Sequence, residues 1–366
     1  MVEIILVLDP GASLSKIFYS INCGMIRMLL MPPQVIPTTE EAATDKAAEA
    51  ISKVPDEQQA WVQWGKEVWA VGQLAKDLNA VQALQGLKWE AALPKVLAAL
   101  GIIVRKEGLL EPINLKLGLL LPHREFTSSQ DFESEIHSAL SNFKFQHQRF
   151  SVNLKMFRCR PEGAGLLAFR CSELGDLRFQ KNIAVLAVGF RDASCLISRH
   201  GGKAYGTTKQ LFGYCMLLDG IIRRTPGQDY ESLTLPVYQA GASVNVDFLK
   251  KLPQSQSPPR RKAELAKITS AIKAARAEYW RSFSSWLAEV IPCDTDEIIL
   301  AGGTAKYLES DLSNRYGSDS IVGVPGLEKN LNLVLPNASI ELVPRLVDGY
   351  GVTLNFTKEP VLNGKK

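Results

Sequence analysis

The sequence is poor in the features that most readily give a function away. Its six cysteines, Cys23, Cys159, Cys171, Cys195, Cys215 and Cys293, form no C-x-x-C pair. They sit mostly in apolar runs and read as buried free thiols of a reducing compartment. Four scattered histidines, His123, His137, His147 and His200, lack H-x-x-x-H spacing, which argues against a zinc site. Neither sign of charge prevails: 42 Lys plus Arg face 38 Asp plus Glu, for a net +4. That balance is too mild to imply direct nucleic-acid binding. The longest suspicious stretch, Gly24 to Pro37, carries Arg27 and Pro32-Pro33 and is too short to span a bilayer. Glu3 and Asp9 interrupt the opening, so no signal peptide is expected, and the expectation is a cytoplasmic chain without a membrane span.

What is present is ordinary globular material in quantity. The chain has 366 residues, 46% hydrophobic and 22% charged, which suits about two domains with a substantial core and excludes a disordered or fibrous protein. Ile4 to Leu8 is a continuous apolar run, as in a strand covered on both faces. Asp9-Pro10-Gly11-Ala12-Ser13 is turn chemistry, with Gly11 free to take positive φ, and Lys16 to Ile21 resumes a strand. A helix over residues 38–53 can be capped by Thr38 or Thr39, and Trp61 to Val71 reads as a hairpin around Gly65. Helices are expected over 73–84, over 88–101 (kinked or started at Pro94) and near 129–143. Leu115 to Leu121 is a buried strand; Phe150, Val152, Leu154 and Met156 mark another, closed by a turn at residues 160–163.

The second half restarts this grammar. Strands are expected at 183–188 and 194–198 around a turn at Gly189. A mobile loop, residues 253–259, precedes a helix whose Ile268, Ile272, Tyr279, Phe283, Trp286, Leu287 and Val290 recur at helical spacing until Pro292. A strand at 297–301, a Gly302-Gly303 turn and a helix over 304–316 capped by Thr304 follow, and the alternation makes the class α/β. Trp61, Trp64, Trp69 and Trp89 read as packing rather than a ligand cage, and Arg260-Arg261-Lys262 as a solvated helix start. Ile4 to Gly24 and Ile183 to Gly202 share one design, strand, small-residue turn, strand, glycine, which points to two related halves. Such turns present backbone N–H groups to an anion. Lys16 can sit beside a β- or γ-phosphate, and Asp9 can hold hydrated Mg²⁺.

These residues resemble the actin/Hsp70/sugar-kinase superfamily, and within it the bacterial actin-like ParM/StbA plasmid-segregation ATPases. Asp9-Pro10-Gly11 through Lys16 is similar to the first phosphate motif, Val188 to Ser194 lies where the second belongs, and Leu300 to Ala305 is similar to the adenosine motif. Softer similarities lie at residues 69–75, 120–122, 160–163 and 345–351. The resemblance implies a two-lobed, duplicated ribonuclease H-like fold with a nucleotide cleft between the lobes. One lobe would be residues 1–180 with 345–366 returning to it, the other 181–344. It implies that Asp9 organises Mg²⁺ through water; that Gly11, Ser13, Lys16, Gly189, Arg191, Asp192, Gly302, Gly303 and Thr304 contact ATP or GTP; and that Glu162 orients the attacking water. It also implies self-assembly into a filament, with a DNA-binding adaptor as the partner in plasmid segregation. The chain departs from the pattern at Ala187, where the family places Asp, so nucleotide binding with slow hydrolysis is expected. A filament of another role such as cell shape, a small-molecule kinase on the same fold, and a non-catalytic switch stay open. An Hsp70-like chaperone is set aside, because only about 60 residues follow Gly303 and they end in a polar tail, residues 363–366.

Overall fold

The computed structural model describes residues 2–49, 54–81, 84–126, 129–336, 338–339 and 341–358. The chain separates into two compact units, Met1–Glu173 with Val324–Lys366, and Leu174–Gly323. The first unit holds β1 (Val2–Pro10), β2 (Ser15–Ile21), β3 (Arg27–Met31), β4 (Val35–Thr38), β5 (Trp61–Trp64), β6 (Glu67–Val71), β7 (Ile113–Leu121), β8 (Phe143–Phe145), β9 (Gln148–Phe150) and β10 (Val152–Pro161). One sheet runs β10-β7-β1-β2-β3, and a second runs β4-β6-β5-β8-β9. β10, β7 and β1 are parallel, while β2 pairs antiparallel with β1 and β3 antiparallel with β2.

The apolar run in β1 is explained by two different partners. Ile4, Leu6 and Leu8 join a core with Leu93, Val96 and Leu97 of the helix Ala92–Lys106. Ile5 and Val7 face the other way, onto Val352 and Phe356 of the helix Val343–Lys358. Alternate residues point to opposite faces of a strand, so a strand covered on both sides must be apolar throughout.

The second unit holds β11 (Asn182–Val188), β12 (Ala193–Arg199), β13 (Tyr205–Lys209) and β14 (Glu297–Ala301), in the order β13-β12-β11-β14. β11 stands to β12, β13 and β14 as β1 stands to β2, β3 and β7: it pairs antiparallel with β12, β12 pairs antiparallel with β13, and β11 pairs parallel with β14. The repeat extends to single bonds. Pro10 faces Ser15 as Val188 faces Ala193, leaving loops of equal length, Gly11–Leu14 and Gly189–Asp192. Ser20 Oγ donates to Gly24 O, and Ser198 Oγ to Gly202 O. Asn22 and Cys23 take positive φ, as do His200 and Gly201. The stripe of the long helix Pro258–Val290 is buried as expected up to Leu287, with Val290 half-buried at its end and Phe212 packed among Tyr279, Phe283 and Trp286.

Several boundaries differ from the sequence reading. The first helix starts later than residue 38, running Glu40–Ala48 with Thr39, one of the two expected caps, at its start; residues 50–53 lie outside the described residues. The helix at 73 is only Gln73–Asp77, followed by Asn79 at positive φ, and residues 82 and 83 lie outside the described residues. The next helix begins at Ala92 and places Pro94 in its first turn, where a missing N–H costs nothing. Phe150 belongs to β9 in the second sheet, while Pro161 is still within β10. The loop at 253–259 is shorter, because Pro258 already starts the long helix. Its Gln254 and Ser255 N–H groups both donate to Glu264, which ties the segment down. Residues 304–316 form two helices, Gly303–Tyr307 and Glu309–Tyr316, rather than one. The polar tail at 363–366 lies outside the described residues.

Candidate functional site

In the first unit, the register of one hairpin builds the first cluster. β1 and β2 set Asp9 directly opposite Lys16, so the D-x-G-x-x-x-x-K spacing is the spacing of a cross-strand pair. The Lys16 ammonium donates to Asp9 Oδ2, and Asp9 is buried. Asp9 and Pro10 remain in the strand rather than forming the turn. Gly11 does not use positive φ; its role is space, since a Cβ there would lie 2.6 Å from Leu14 O. Ser13 Oγ accepts from Arg345 Nη2 at 3.0 Å.

The carboxyl ends of the parallel strands β10 and β7 open on the same sheet edge as that of β1. This is where open α/β sheets bind ligands. Glu162 follows β10 directly, and its N–H donates to Leu121 O at 2.9 Å. Its carboxylate is not the exposed turn glutamate of a plain loop: it accepts from Lys88 Nζ at 2.6 Å with only 15% of the side chain exposed. Glu125 is buried beyond Lys88 and accepts from the N–H groups of Lys88 at 2.6 Å and Trp89 at 3.3 Å.

Asp348 completes this edge. Its carboxylate accepts from the N–H groups of Gly163 at 2.7 Å, Gly165 at 2.9 Å and Leu166 at 3.4 Å. These are the orphan donors at the start of the helix Ala164–Leu174. Burial pushes the Asp348 carboxyl up to about 6, the three N–H groups pull it down, and the nearby charge of Asp9 pushes it up. The two helices meet there through Gly165 and Gly351: a Cβ on Gly351 would lie 2.9 Å from the Gly165 carbonyl.

The second unit gathers the other expected residues at the ends of β11 and β14. Thr304 does not cap its helix. Its Oγ1 donates to Gly189 O at 2.8 Å, tying the Gly302-Gly303 turn to the Gly189 loop. Gly302 takes φ 86°, and a Cβ on it would stand 2.4 Å from Val188 O. Gly189 is different, because a Cβ there would meet nothing nearer than Asp192 O at 3.9 Å. Arg191 and Asp192 do not present their charges outward: both are buried, and Arg191 Nε donates to Asp192 Oδ2 at 2.8 Å. Leu211 N–H also donates to Asp192. Ala187 occupies the Asp9 position of the repeat and faces Ser194 where Asp9 faces Lys16. At this register position neither strand of the second hairpin carries a charge.

Lys88, Glu125 and Asp348 are absent from the set read from sequence. Asp348 lies in the noted 345–351 segment, but only its distant helix start reveals its use. Lys88 sits in a turn whose sequence carries no motif. Asp9 fits a hydrated Mg²⁺, which takes one or two carboxylates and keeps several waters; Ala187 offers no ligand. Among the described residues no group of three His, Cys, Asp or Glu side chains could hold a metal by itself.

This arrangement is the actin-like fold: two α/β units, each built on the same strand order with a glycine-bearing hairpin at its strand ends. No protein-family model matches the sequence, and no curated protein does. Among solved structures, the chain is similar to a 15-stranded ParM filament from Clostridium botulinum, at 15% identity over 98% of this chain and 99% of that one, TM-score 0.60. It is similar to Bacillus thuringiensis ParM with AMPPNP, at 13% identity over 96% and 98%, TM-score 0.58. It is also similar to Ta0583, an archaeal actin homolog in complex with ADP, at 13% identity over 96% and 99%, TM-score 0.57. Among the described residues no helix is long and apolar enough to cross a membrane.

Proposed function

We propose that this chain is a nucleotide-dependent, self-assembling actin-like protein that hydrolyses ATP slowly. The observation that carries the reading is the cross-strand Asp9–Lys16 pair at a parallel-strand edge that also holds Glu162. An ammonium and an acidic side chain placed together at strand ends suit a magnesium triphosphate. Mg²⁺, held through water by Asp9, would neutralise phosphate charge. Lys16 binds phosphate oxygens, and the Gly11 loop supplies backbone donors. Glu162 orients a water whose oxygen bonds to the γ-phosphorus while the bond to the β–γ bridging oxygen breaks; the proton leaves with the released phosphate. In the second unit, the free space above Gly189 and the sharp Gly302 turn suit close approach of nucleotide to backbone, with Gly303 and Thr304 at the helix start. Arg191 and Asp192 act from beneath by fixing the Gly189 loop.

Similar chains with ADP and AMPPNP support the nucleotide, and the ParM filament supports self-assembly. On that footing the finer reading is plasmid or other DNA segregation in the cytoplasm, with a DNA-binding adaptor making the DNA contact. Calorimetry with MgATP, joined to phosphate release by the wild type and Ala187→Asp, tests the proposal. The wild type binds nucleotide and turns over slowly, and the variant is faster by roughly 10-fold or more. No heat of binding, or phosphate appearing only on an added sugar, sinks it; unchanged or slower turnover in the variant removes Ala187 as the cause of slowness.

A further inference from the structure

The Glu162 carboxylate is held by a residue that the actin-like reading does not require. Lys88 lies in the turn before the helix Ala92–Lys106, and its side chain is only 8% exposed. Burying an ammonium is costly unless it is paired, and Nζ is 2.6 Å from Glu162 Oε1. The backbone of the same residue is clamped from behind, where the buried Glu125 carboxylate takes the N–H groups of Lys88 and Trp89. Three separate segments are thus linked in series, the helix His123–Phe126 after β7 holding the turn at 88, and the turn at 88 holding the carboxylate that follows β10.

We infer that Lys88, fixed by Glu125, is a positioning residue that holds Glu162 oriented and charged for water activation. The inference rests on the proposed role of Glu162. The charged groups on the segments around Glu162 include Lys88, Glu125 beyond it, Asp348 on the neighbouring Gly163 N–H, Asp9 beside Asp348, Arg160 on the preceding strand, and the buried Lys95 on the helix that follows Lys88. Lys88 is a cation seated on the carboxylate, and behind it and beside the next residue stand further carboxylates. Removing its charge therefore favours protonation of Glu162. A merely structural staple would lower stability without moving the pH dependence of the chemistry.

The test uses the full chain with Lys88→Met and with Lys88→Gln, which keeps a hydrogen-bond donor while losing the charge. Carboxyl NMR of the nucleotide-free protein reads the titration midpoint of Glu162, and phosphate release against pH reads kcat and KM. In both variants the midpoint should move up by about 1 pH unit or more, and the acid limb of kcat should move with it. In Lys88→Met, kcat at neutral pH should fall by roughly 10-fold or more with KM for ATP unchanged. A moved midpoint with no phosphate release from the wild type overturns the hydrolytic reading on which this rests. An unmoved midpoint, or unchanged kcat in both variants of a hydrolysing wild type, overturns the inference about Lys88 itself.

Discussion

Asp348 sits between opposing demands. The N–H groups that open the helix Ala164–Leu174 favour an anion, while burial and Asp9 oppose one, and the carboxyl rises to about 6 from an ordinary 3.8. A carboxyl raised in the folded state binds its proton more tightly there than in the unfolded chain. Its contribution to stability is therefore complete below about pH 4 and is lost as pH rises through about 6. The loss amounts to about 3 kcal/mol at most. Denaturant unfolding of wild type and Asp348→Ala across pH 4 to 7 should show the wild type's advantage shrinking with rising pH; an advantage that grows would contradict the assignment. The paired residues of the two hairpins make the complementary point. Asp9 and Lys16 have Ala187 and Ser194 as their counterparts, so the same cross-strand position carries a charged pair in one unit and an uncharged pair in the other.

Strand ends and turns decide how much could be read in advance. β1, β11 and β14 are apolar runs buried on both faces, and each was recognisable from composition alone. The Asp9–Lys16 cluster was legible because its partners lie on adjacent strands of one hairpin. Lys88, Glu125 and Asp348 were not, since their partners are distant in sequence and only tertiary packing joins them. Thr304 illustrates a further limit. Its position suggested a cap, yet the free Oγ1 found the carbonyl of Gly189 from another loop. The Gly302 turn depends on that packing, with left-handed backbone and Val188 O in the space a Cβ would fill. Gly302→Ala should destabilise the second unit by about 1–3 kcal/mol, seen as a lower denaturant midpoint with an unchanged slope. An unaltered midpoint would show that the β11 and β14 ends are less tightly joined than the distance implies.

The two units repeat one hairpin down to the Ser20–Gly24 and Ser198–Gly202 hydrogen bonds, while their side chains divide the work unequally. The first carries Asp9, Lys16 and Glu162; the second carries glycine turns and the buried Arg191–Asp192 pair. On the proposed reading, a nucleotide that binds an assembling arrangement of the chain more tightly than others biases assembly. Repeated head-to-tail contacts that do not close into a ring give open polymers. Ultracentrifugal pelleting of the full chain with MgATP, with MgAMPPNP and without nucleotide, joined to negative-stain microscopy of the pellet, tests this most directly. The account predicts filaments in the pellet with either nucleotide and protein left in the supernatant without one. Protein that binds MgATP yet stays in the supernatant, or that pellets equally in its absence, would contradict it.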